Sequence, residues 1–301
     1  MLNQMPRHRR KALEGYLFIS PWLIGFVVFT FGPMLASLYL SFTSYAVVSA
    51  PSFVGGRNYV YMLTQDKLFW SSILKTLYFA TVQVGVGLTG SLACALLLNS
   101  KRLRASAFFR TAFFIPSLTP VVALALIWKW ILNAKYGMLN GFLGNLGIAG
   151  PPWLGSVEWV IPGLLMMNLW AAIGGSRMVI FLAGLQGVPQ ELYDASEVDG
   201  AGSWQRFRNV TLPMLTPTVF FNLVLGVITG LKVFAVAYVG TDGGPAYGSW
   251  FFLLHLYHQA FDYLEMGYAS ALGWFFLVVV LALTAVQFAG SRRWVYYEGE
   301  R

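Results

Sequence analysis

The sequence predicts an all-α integral membrane protein, and three observations support this fold class. Hydrophobic residues make up 57% of the 301 residues, charged residues make up only 11%, and long apolar segments recur along the chain. An ordinary soluble domain carries about 25% charged residues. Surface-to-volume scaling also leaves a soluble chain of this length too little interior to bury so much apolar surface.

About six apolar segments are long enough to span a membrane, since a helix needs about 20 mostly apolar residues to cross the hydrocarbon core. They lie at 16–43, 74–98, 108–131, 159–184, 214–239 and 267–290. The uncharged run between Lys135 and Glu158 is excluded, because its repeated Gly and its Pro151-Pro152 pair make poor helix and backbone cannot go unpaired in lipid. We expect an external loop there, with or without a short interfacial helix.

The first apolar segment follows a basic stretch, as in a signal peptide, but its apolar region is about twice the length of a signal h-region. It is therefore predicted to be an uncleaved span. The single cysteine, Cys94, lies inside an apolar run and is predicted to be a packing residue, since one cysteine forms no intramolecular disulfide.

Basic residues predict the orientation of the spans. Thirteen lie on one side: Arg7, Arg9, Arg10, Lys11, Lys101, Arg102, Arg104, Arg110, Arg206, Arg208, Arg292, Arg293 and Arg301. Five lie on the other side: Arg57, Lys67, Lys75, Lys129 and Lys135. By the positive-inside rule both termini are cytoplasmic. The chain then divides into a cytoplasmic segment 1–15, a six-helix membrane domain 16–290 and a cytoplasmic tail 291–301.

One polar segment, 188–213, interrupts the second half of the chain on the predicted cytoplasmic side. Its core, ELYDASEVDGAGSWQRFRNVTLP, holds four of the twelve carboxylates. Pro189 suits the first position of a helix, and Asp199-Gly200 is predicted to end that helix. Ser203 is a candidate N-cap for a second helix. Pro213 and Pro217 are expected to kink or restart the chain at the membrane.

Two interpretations of this segment remain open on local chemistry. It is either a solvated connector or a docking surface for a soluble protein. A connector needs only a few residues and has no need to present Trp204 and Phe207. A small face of Leu192, Ala195 and Ser196, ringed by charge, suits docking.

The same segment resembles the EAA loop of binding-protein-dependent ABC importer permeases, which reads Glu-Ala-Ala, Asp-Gly-Ala, Phe, Ile and Leu-Pro. Here the matching residues are Asp194-Ala195-Ser196, Asp199-Gly200-Ala201, Phe207, Val210 and Leu212-Pro213. Segments 108–120, 127–140, 181–196, 232–245 and 261–273 are similar to the carbohydrate-uptake branch, the maltose/glycerol-3-phosphate permease-like family, and to the first permease of its heterodimer. Ala235 departs from the Asp that relatives often carry.

The resemblance implies a permease subunit that passes a sugar or sugar-like solute from an external binding protein into the cytoplasm. It implies four kinds of partner: a second homologous permease, two ATPase subunits, the solute-binding protein and the sugar. The chain contains no GxxxxGK[ST] loop, so it is not expected to be an enzyme or to bind a cofactor, and ATP and Mg would be used by the partner subunits. The implied location is a bacterial-type cytoplasmic (inner) membrane.

Two sets of site residues follow. The resemblance implies an EAA-type coupling helix between spans 4 and 5, with ATPase-coupling residues Glu191, Asp194, Ala195, Ser196, Asp199, Gly200, Ala201, Phe207, Leu212 and Pro213. Substrate-path candidates are Asn168, Trp170, Asn222, Lys232, Phe234, Tyr238 and Trp274. Amides can hydrogen-bond sugar hydroxyls and rings can stack on a pyranose, although each side chain also fits ordinary interhelical packing.

Two cations lie at membrane depth, Arg177 and Lys232, where each would cost ~2.5–3.5 kcal/mol at the bilayer centre. Arg177 is expected to snorkel or pair, and Lys232 to line a cavity or do the same.

An ion-gradient-driven secondary transporter is the alternative, but it would need intramembrane carboxylates, and no predicted span contains Asp or Glu. A membrane enzyme would need a catalytic cluster, and the nearest one, around His255, His258, Asp262 and Glu265, lacks catalytic spacing. No metal site is predicted there, since a third ligand is missing. Nucleic-acid binding is not predicted either, because the basic residues lie in short clusters between spans.

Overall fold

The computed structural model describes residues 7–100 and 103–296. Lys101, Arg102, Arg301 and parts of the predicted segments 1–15 and 291–301 lie outside them. The first half of the chain contains α1 (Arg7–Phe26), a π-helical turn (Val27–Phe31), α2 (Gly32–Ser41), strands β1 (Thr43–Ser44) and β2 (Ser52–Phe53), α3 (Arg57–Thr64), α4 (Lys67–Asn99), α5 (Ser106–Phe114), a 3-10 turn (Ile115–Leu118), α6 (Val121–Ile131) and α7 (Met138–Asn145).

The second half is also helical. It contains α8 (Val157–Gly174), α9 (Ser176–Gln186), α10 (Gln190–Val198), α11 (Ser203–Arg206), a π-helical turn (Phe207–Thr211), α12 (Leu212–Leu231), α13 (Ala235–Gly240), α14 (Phe252–Tyr257), a π-helical turn (His258–Asp262) and α15 (Met266–Ser291). The 135–158 run is a loop with one short helix, α7, as the glycine and proline content predicts.

Five helices are long and apolar enough to cross a membrane: Glu14–Ser41, Lys67–Asn99, Val157–Gln186, Ser203–Leu231 and Met266–Ser291. A sixth apolar segment is broken. Its halves, Ser106–Leu118 and Val121–Ile131, meet at 98°. The five helices and this bent pair confirm the prediction of about six spans.

Two predicted spans need correction. The segment 108–131 is not one straight helix. Thr119 and Pro120 have extended backbone, and the chain bends at these two residues before α6 begins. The predicted fifth span, 214–239, is displaced toward the C-terminus relative to the observed helix. The helix starts at Ser203, ends at Leu231, and resumes as α13 only after Phe234 leaves helical geometry. Apolar composition continues across that break, so composition alone does not reveal it.

Contacts group the chain into two compact units, the first comprising the residues through Asp66 together with Leu256–Leu277. In this unit β1 and β2 form an antiparallel hairpin that pairs Thr43 with Phe53. The Asn58 side chain donates to the carbonyls of Ser41 and Thr43 at 2.9 Å each. Tyr268 donates to the Asp66 carboxylate. These bonds fix the connection that follows α2.

The second unit comprises Lys67–His255 and Val278–Arg301. Here α4 packs against α8, α9 and α12. One apolar core surrounds Phe79, Leu164 and Phe251, and another surrounds Phe181 and Leu215; all of these side chains are fully buried. Large apolar side chains elsewhere remain exposed, such as Leu97 at 68% and Val286 at 68%. An apolar exterior of this extent suits a lipid environment.

Candidate functional site

The polar segment 188–213 forms the predicted pair of helices with shifted starts. Pro189 is the N-cap of α10 rather than its first residue, because its ψ of 129° is not helical. Gly202 is the N-cap of α11, and Ser203 is the first helical residue rather than the cap. The side-chain oxygen of Gln205 accepts from the Gly202 N–H at 2.8 Å. That bond is the half of a capping box that the third helical residue supplies, and Gly202 has no side chain to supply the half expected from Ser203.

The turn between α10 and α11 is fixed by Gly200. The N–H of Ala201 donates to the Ser196 carbonyl at 2.9 Å, and the N–H of Gly200 donates to the Glu197 carbonyl at 3.0 Å. This pair of bonds is a Schellman motif, which places its glycine in the left-handed region. Gly200 has a φ of +73°. The predicted helix break at Asp199-Gly200 is confirmed, and only glycine adopts it without steric cost.

The second helix runs without interruption into the membrane span. Helix α11, the π-helical turn Phe207–Thr211 and α12 together make the continuous helix Ser203–Leu231. Pro213 and Pro217 therefore do not restart the chain. The wider π turn ends two residues before Pro213 and contains Asn209, whose carbonyl the proline ring would otherwise crowd in a regular α-helix. The polar segment 188–213 is thus directly continuous with the fifth span.

A cleft of 420 Å³ lies between the two helices of the segment. The three residues of the predicted flat face, Leu192, Ala195 and Ser196, all line it. In the same segment Trp204 is 70% exposed, and its ring is tilted against that of the half-buried Phe207 with centroids 5.5 Å apart. The segment therefore combines a concave polar surface with one exposed aromatic side chain.

Hydrogen bonds tie α10 to the start of the fifth span. The hydroxyls of Tyr193 and Thr211 are 3.0 Å apart, and Thr211 is buried. Within α10 the Gln190 amide donates to the Asp194 carboxylate at 3.0 Å. Glu197 and Arg206 form an exposed ion pair at 3.7 Å. The Tyr193–Thr211 bond links α10 to the helix that continues into the fifth span.

The two substrate-path asparagines lie in helix packing. The Gln83 amide of α4 donates to Asn168 of α8 at 3.4 Å. Asn222 is buried, and its amide donates to the Thr218 carbonyl of its own helix at 3.0 Å. Gln83 is a buried polar residue that the sequence analysis missed. Its position inside an otherwise apolar helix is the sequence feature that could have indicated a buried polar contact.

The remaining substrate-path candidates do not form one cluster. Phe234 and Tyr238 stack with ring centroids 5.4 Å apart. Trp170 meets Trp128 edge-on at 6.0 Å and lines an apolar cavity of 390 Å³. Lys232 is exposed where the fifth span ends, and Trp274 is half-buried on α15 in the first unit. The roles of all seven residues stay predictions.

Arg177 occupies a slot that two glycines open inside the second unit. A Cβ on Gly87 would lie 2.5 Å from the Nη1 atom of Arg177, and a Cβ on Gly226 would lie 3.3 Å from its Nη2 atom. Nη1 is buried and has no hydrogen-bond partner within the described part of the chain. Pairing, one of the two expectations for Arg177, is therefore not seen for this nitrogen, and the glycine slot leaves room for the guanidinium.

The two histidines do not meet the requirements of a metal centre. The indole N–H of Trp250 donates to Nδ1 of His255 at 3.0 Å, and Nδ1 of His258 is bonded to Asp262. Among residues 7–100 and 103–296, no group of three or more His, Cys, Asp or Glu side chains could hold a metal ion.

The fold and the polar segment together define a class, the helical membrane permeases with an exposed helix pair between two spans. The chain belongs to the family described as "Binding-protein-dependent transport system inner membrane component", whose match covers residues 87–296. It is thus an inner-membrane component of a binding-protein-dependent transport system, and nothing supports the ion-gradient-driven alternative.

Relatives align along almost the whole chain. A probable ABC transporter permease protein, YesP of Bacillus subtilis, is 40% identical over 97% of this chain and 94% of its own length. A trehalose/maltose transport system permease protein, MalF of Thermococcus litoralis, is 34% identical over 92% of this chain and 93% of its own. A solved bacterial ABC transporter involved in alginate import shares the fold, with a TM-score of 0.83 at 23% identity, covering 94% of this chain and 96% of that one.

Proposed function

We propose that the chain is a permease subunit of an ATP-driven importer that passes a sugar or sugar-like solute from an external binding protein to the cytoplasm. The names of its relatives support the solute class, because they include trehalose/maltose and lactose permeases that each align over 90% or more of this chain. A second homologous permease and two ATPase subunits complete the importer. ATP and Mg belong to those ATPase subunits.

The observation that supports the coupling role is that segment 188–213 is both exposed and joined to a membrane span. Its cleft and Trp204 are exposed, yet the segment is continuous with the fifth span, and α10 is hydrogen-bonded to the start of that span through Tyr193 and Thr211. A partner that binds α10 and shifts it would therefore also shift the fifth span, and the span would move as a rigid element. We place Glu191, Asp194, Ala195, Ser196, Asp199, Gly200 and Ala201 at the ATPase interface, and Phe207, Leu212 and Pro213 at the entry to the span.

The orientation follows from the same proposal. Segment 188–213 must face the cytoplasm to meet an ATPase, and this agrees with the distribution of basic residues. Both termini then lie in the cytoplasm, and the loops around α7 and α13 face outward, where the binding protein delivers solute.

Cysteine crosslinking tests this proposal directly. Cys94 is the single cysteine, so Cys94→Ser gives a clean background for Ala195→Cys on α10. In the intact importer we expect Ala195→Cys to crosslink to an ATPase subunit, and to do so more strongly with nucleotide bound. Tyr136→Cys is the matched control, because Tyr136 is also exposed, at 70%, but lies on the proposed external side.

A crosslink from position 136 to the ATPase, or none from position 195, would refute the coupling assignment. Uptake of sugar into vesicles that requires both ATP and the binding protein tests the transport assignment separately.

A further inference from the structure

A groove of about 800 Å³ lies in the second unit, between the turn that joins α6 to α7 and the chain around α13. Its size falls within the roughly 300–1,000 Å³ of small-molecule sites. The side chains that distinguish it are Lys129, Lys135, Tyr136, Tyr238, Thr241 and Asp242. The apolar cavities beside Trp170 are smaller, at 390 and 580 Å³.

The wall that carries Lys135 and Tyr136 is a fixed turn. The Asn133 side-chain oxygen accepts from the N–H groups of Lys135 and Tyr136 at 3.0 and 3.3 Å. The N–H of Gly137 closes the turn onto the Asn133 carbonyl at 3.0 Å. The opposite wall is joined to α6 where the Lys129 ammonium donates to the Val239 carbonyl at 3.4 Å. Both walls are therefore preorganised.

The charge of the groove is positive. Lys129 and Lys135 line it together with a single carboxylate, Asp242. Neither ammonium forms an ion pair with a carboxylate among the described residues. Two cations held in one concave surface attract an anion more strongly than a flat surface would. Tyr136 is 70% exposed, and Tyr238 is 39% exposed with one face of its ring stacked on Phe234. The rings of Tyr136 and Tyr238 therefore offer faces that can pack on sugar C–H groups.

We propose that this groove binds carboxylate-bearing oligosaccharides, with Lys129 and Lys135 as carboxylate contacts and the two tyrosines as pyranose platforms. The cations lie on separate elements, the last turn of α6 and the turn after it, which suits charges spaced along an oligosaccharide. This inference rests on the proposed function, because the groove meets the solute only if its end of the protein faces outward in an importer. It narrows the solute from sugars in general to acidic ones.

The test uses the complete importer in proteoliposomes with its binding protein. The probes are oligouronates of two to four residues (from galacturonate and mannuronate), their methyl esters, and neutral maltotriose. Methyl esters keep the sugar skeleton and remove the charge. The variants are Lys129→Gln, Lys135→Gln and the double substitution, with Lys67→Gln as the matched control, a predicted external lysine that does not line the groove.

We expect ATP-dependent uptake of an oligouronate, reduced about tenfold or more by the double substitution, which corresponds to the loss of a charge-assisted contact. Uptake of its ester should be weaker in the wild type and unchanged by the substitutions, and Lys67→Gln should have no effect. Higher salt should lower oligouronate uptake in the wild type and leave the double variant unaffected.

Three results would overturn the inference. The first is uptake of maltotriose with no oligouronate uptake, which leaves the proposed function intact. The second is oligouronate uptake that the substitutions do not change. The third is equal loss for acidic and neutral solutes with a raised requirement for binding protein, which would make the lysines a protein-docking contact. Absence of ATP-dependent uptake for every solute would instead refute the proposed function.

Discussion

Two exposed surfaces flank the helix Ser203–Leu231, and they differ in how the chain builds them. The proposed coupling segment 188–213 is made from one continuous stretch and includes the first residues of the helix. The positive groove joins the chain that follows the helix to residues about 110 positions earlier, as the Lys129–Val239 bond shows. At 1.5 Å per residue, the 29 residues of the helix span roughly 43 Å.

The difference shows which kind of site a motif can reveal. The coupling segment depends on backbone geometry that neighbouring residues set, with one left-handed glycine at its centre. The groove depends on tertiary packing that places two lysines and two tyrosines on facing walls. In the proposed importer the first surface receives force from a protein and the second receives solute, and the helix Ser203–Leu231 runs from the first surface toward the second.

The largest effect is expected from Gly200→Val, which should break the coupling segment alone. A left-handed φ costs an ordinary residue roughly 1–2 kcal/mol, and β-branching makes it worse. The turn should relax and re-aim α10. We expect the variant to insert normally but to lose about tenfold or more of its solute-dependent ATP hydrolysis, since about 1.4 kcal/mol corresponds to a factor of ten.

Two substitutions sharpen this test. Gly200→Asn should retain much of the activity, because asparagine tolerates the left-handed region. Gly202→Ser is the matched control, since Gly202 has a φ of −68°, the nearest contact for an added Cβ is 3.7 Å away, and serine is also a preferred N-cap residue. Normal transport by Gly200→Val would disprove the role of the turn.

Much of the coupling segment could be predicted from sequence because its rules are local. The helix break at Asp199-Gly200 and the shared face of Leu192 and Ala195 are confirmed. The starts were displaced by one residue, since a cap and a first helical residue differ only in backbone dihedrals. Of the two effects expected of Pro213, a restart of the chain was wrong, because the helix continues through a π-helical turn that no residue pattern announces; a kink there stays a prediction.

The interior and the groove could not be predicted in the same way. From the sequence, Lys129 and Lys135 indicate only the orientation of the spans, because no local pattern shows that they share a cavity with Tyr238. The slot of Arg177 likewise depends on Gly87 and Gly226, which lie on two other helices. Composition gives the number of spans, but the partners of each side chain follow from packing between distant segments.

The next effect is expected from Gly137→Ala, which should break the groove while sparing the coupling segment. An added Cβ would lie 2.3 Å from the Asn133 carbonyl oxygen and 2.5 Å from that of Ile131. These are backbone atoms, so the turn that carries Lys135 and Tyr136 must shift, at a cost of roughly 1–3 kcal/mol. We expect a lower melting temperature in detergent and weaker solute uptake.

Gly141→Ala provides the control for this change, because nothing lies within 4 Å of a Cβ at that position. It should melt at the wild-type temperature or slightly above, since alanine favours the helix. Basal ATP hydrolysis by the complex should survive both substitutions. Equal melting temperatures for the two variants would show that the turn is not constrained as described.

The smallest effect is expected from Glu197→Gln, which tests whether the charges of the coupling segment act by pairing or by contact with a partner. Glu197 and Arg206 are 3.7 Å apart, and the Glu197 side chain is 72% exposed. Exposed pairs of this kind contribute about 0.2–1 kcal/mol, so folding stability should barely change. If pairing is the only role, Arg206→Gln and the double variant should also transport almost normally. A large loss with Glu197→Gln alone, at unchanged stability, would instead place this carboxylate against the ATPase, and the interface would then extend from the cleft onto the outer face of α10.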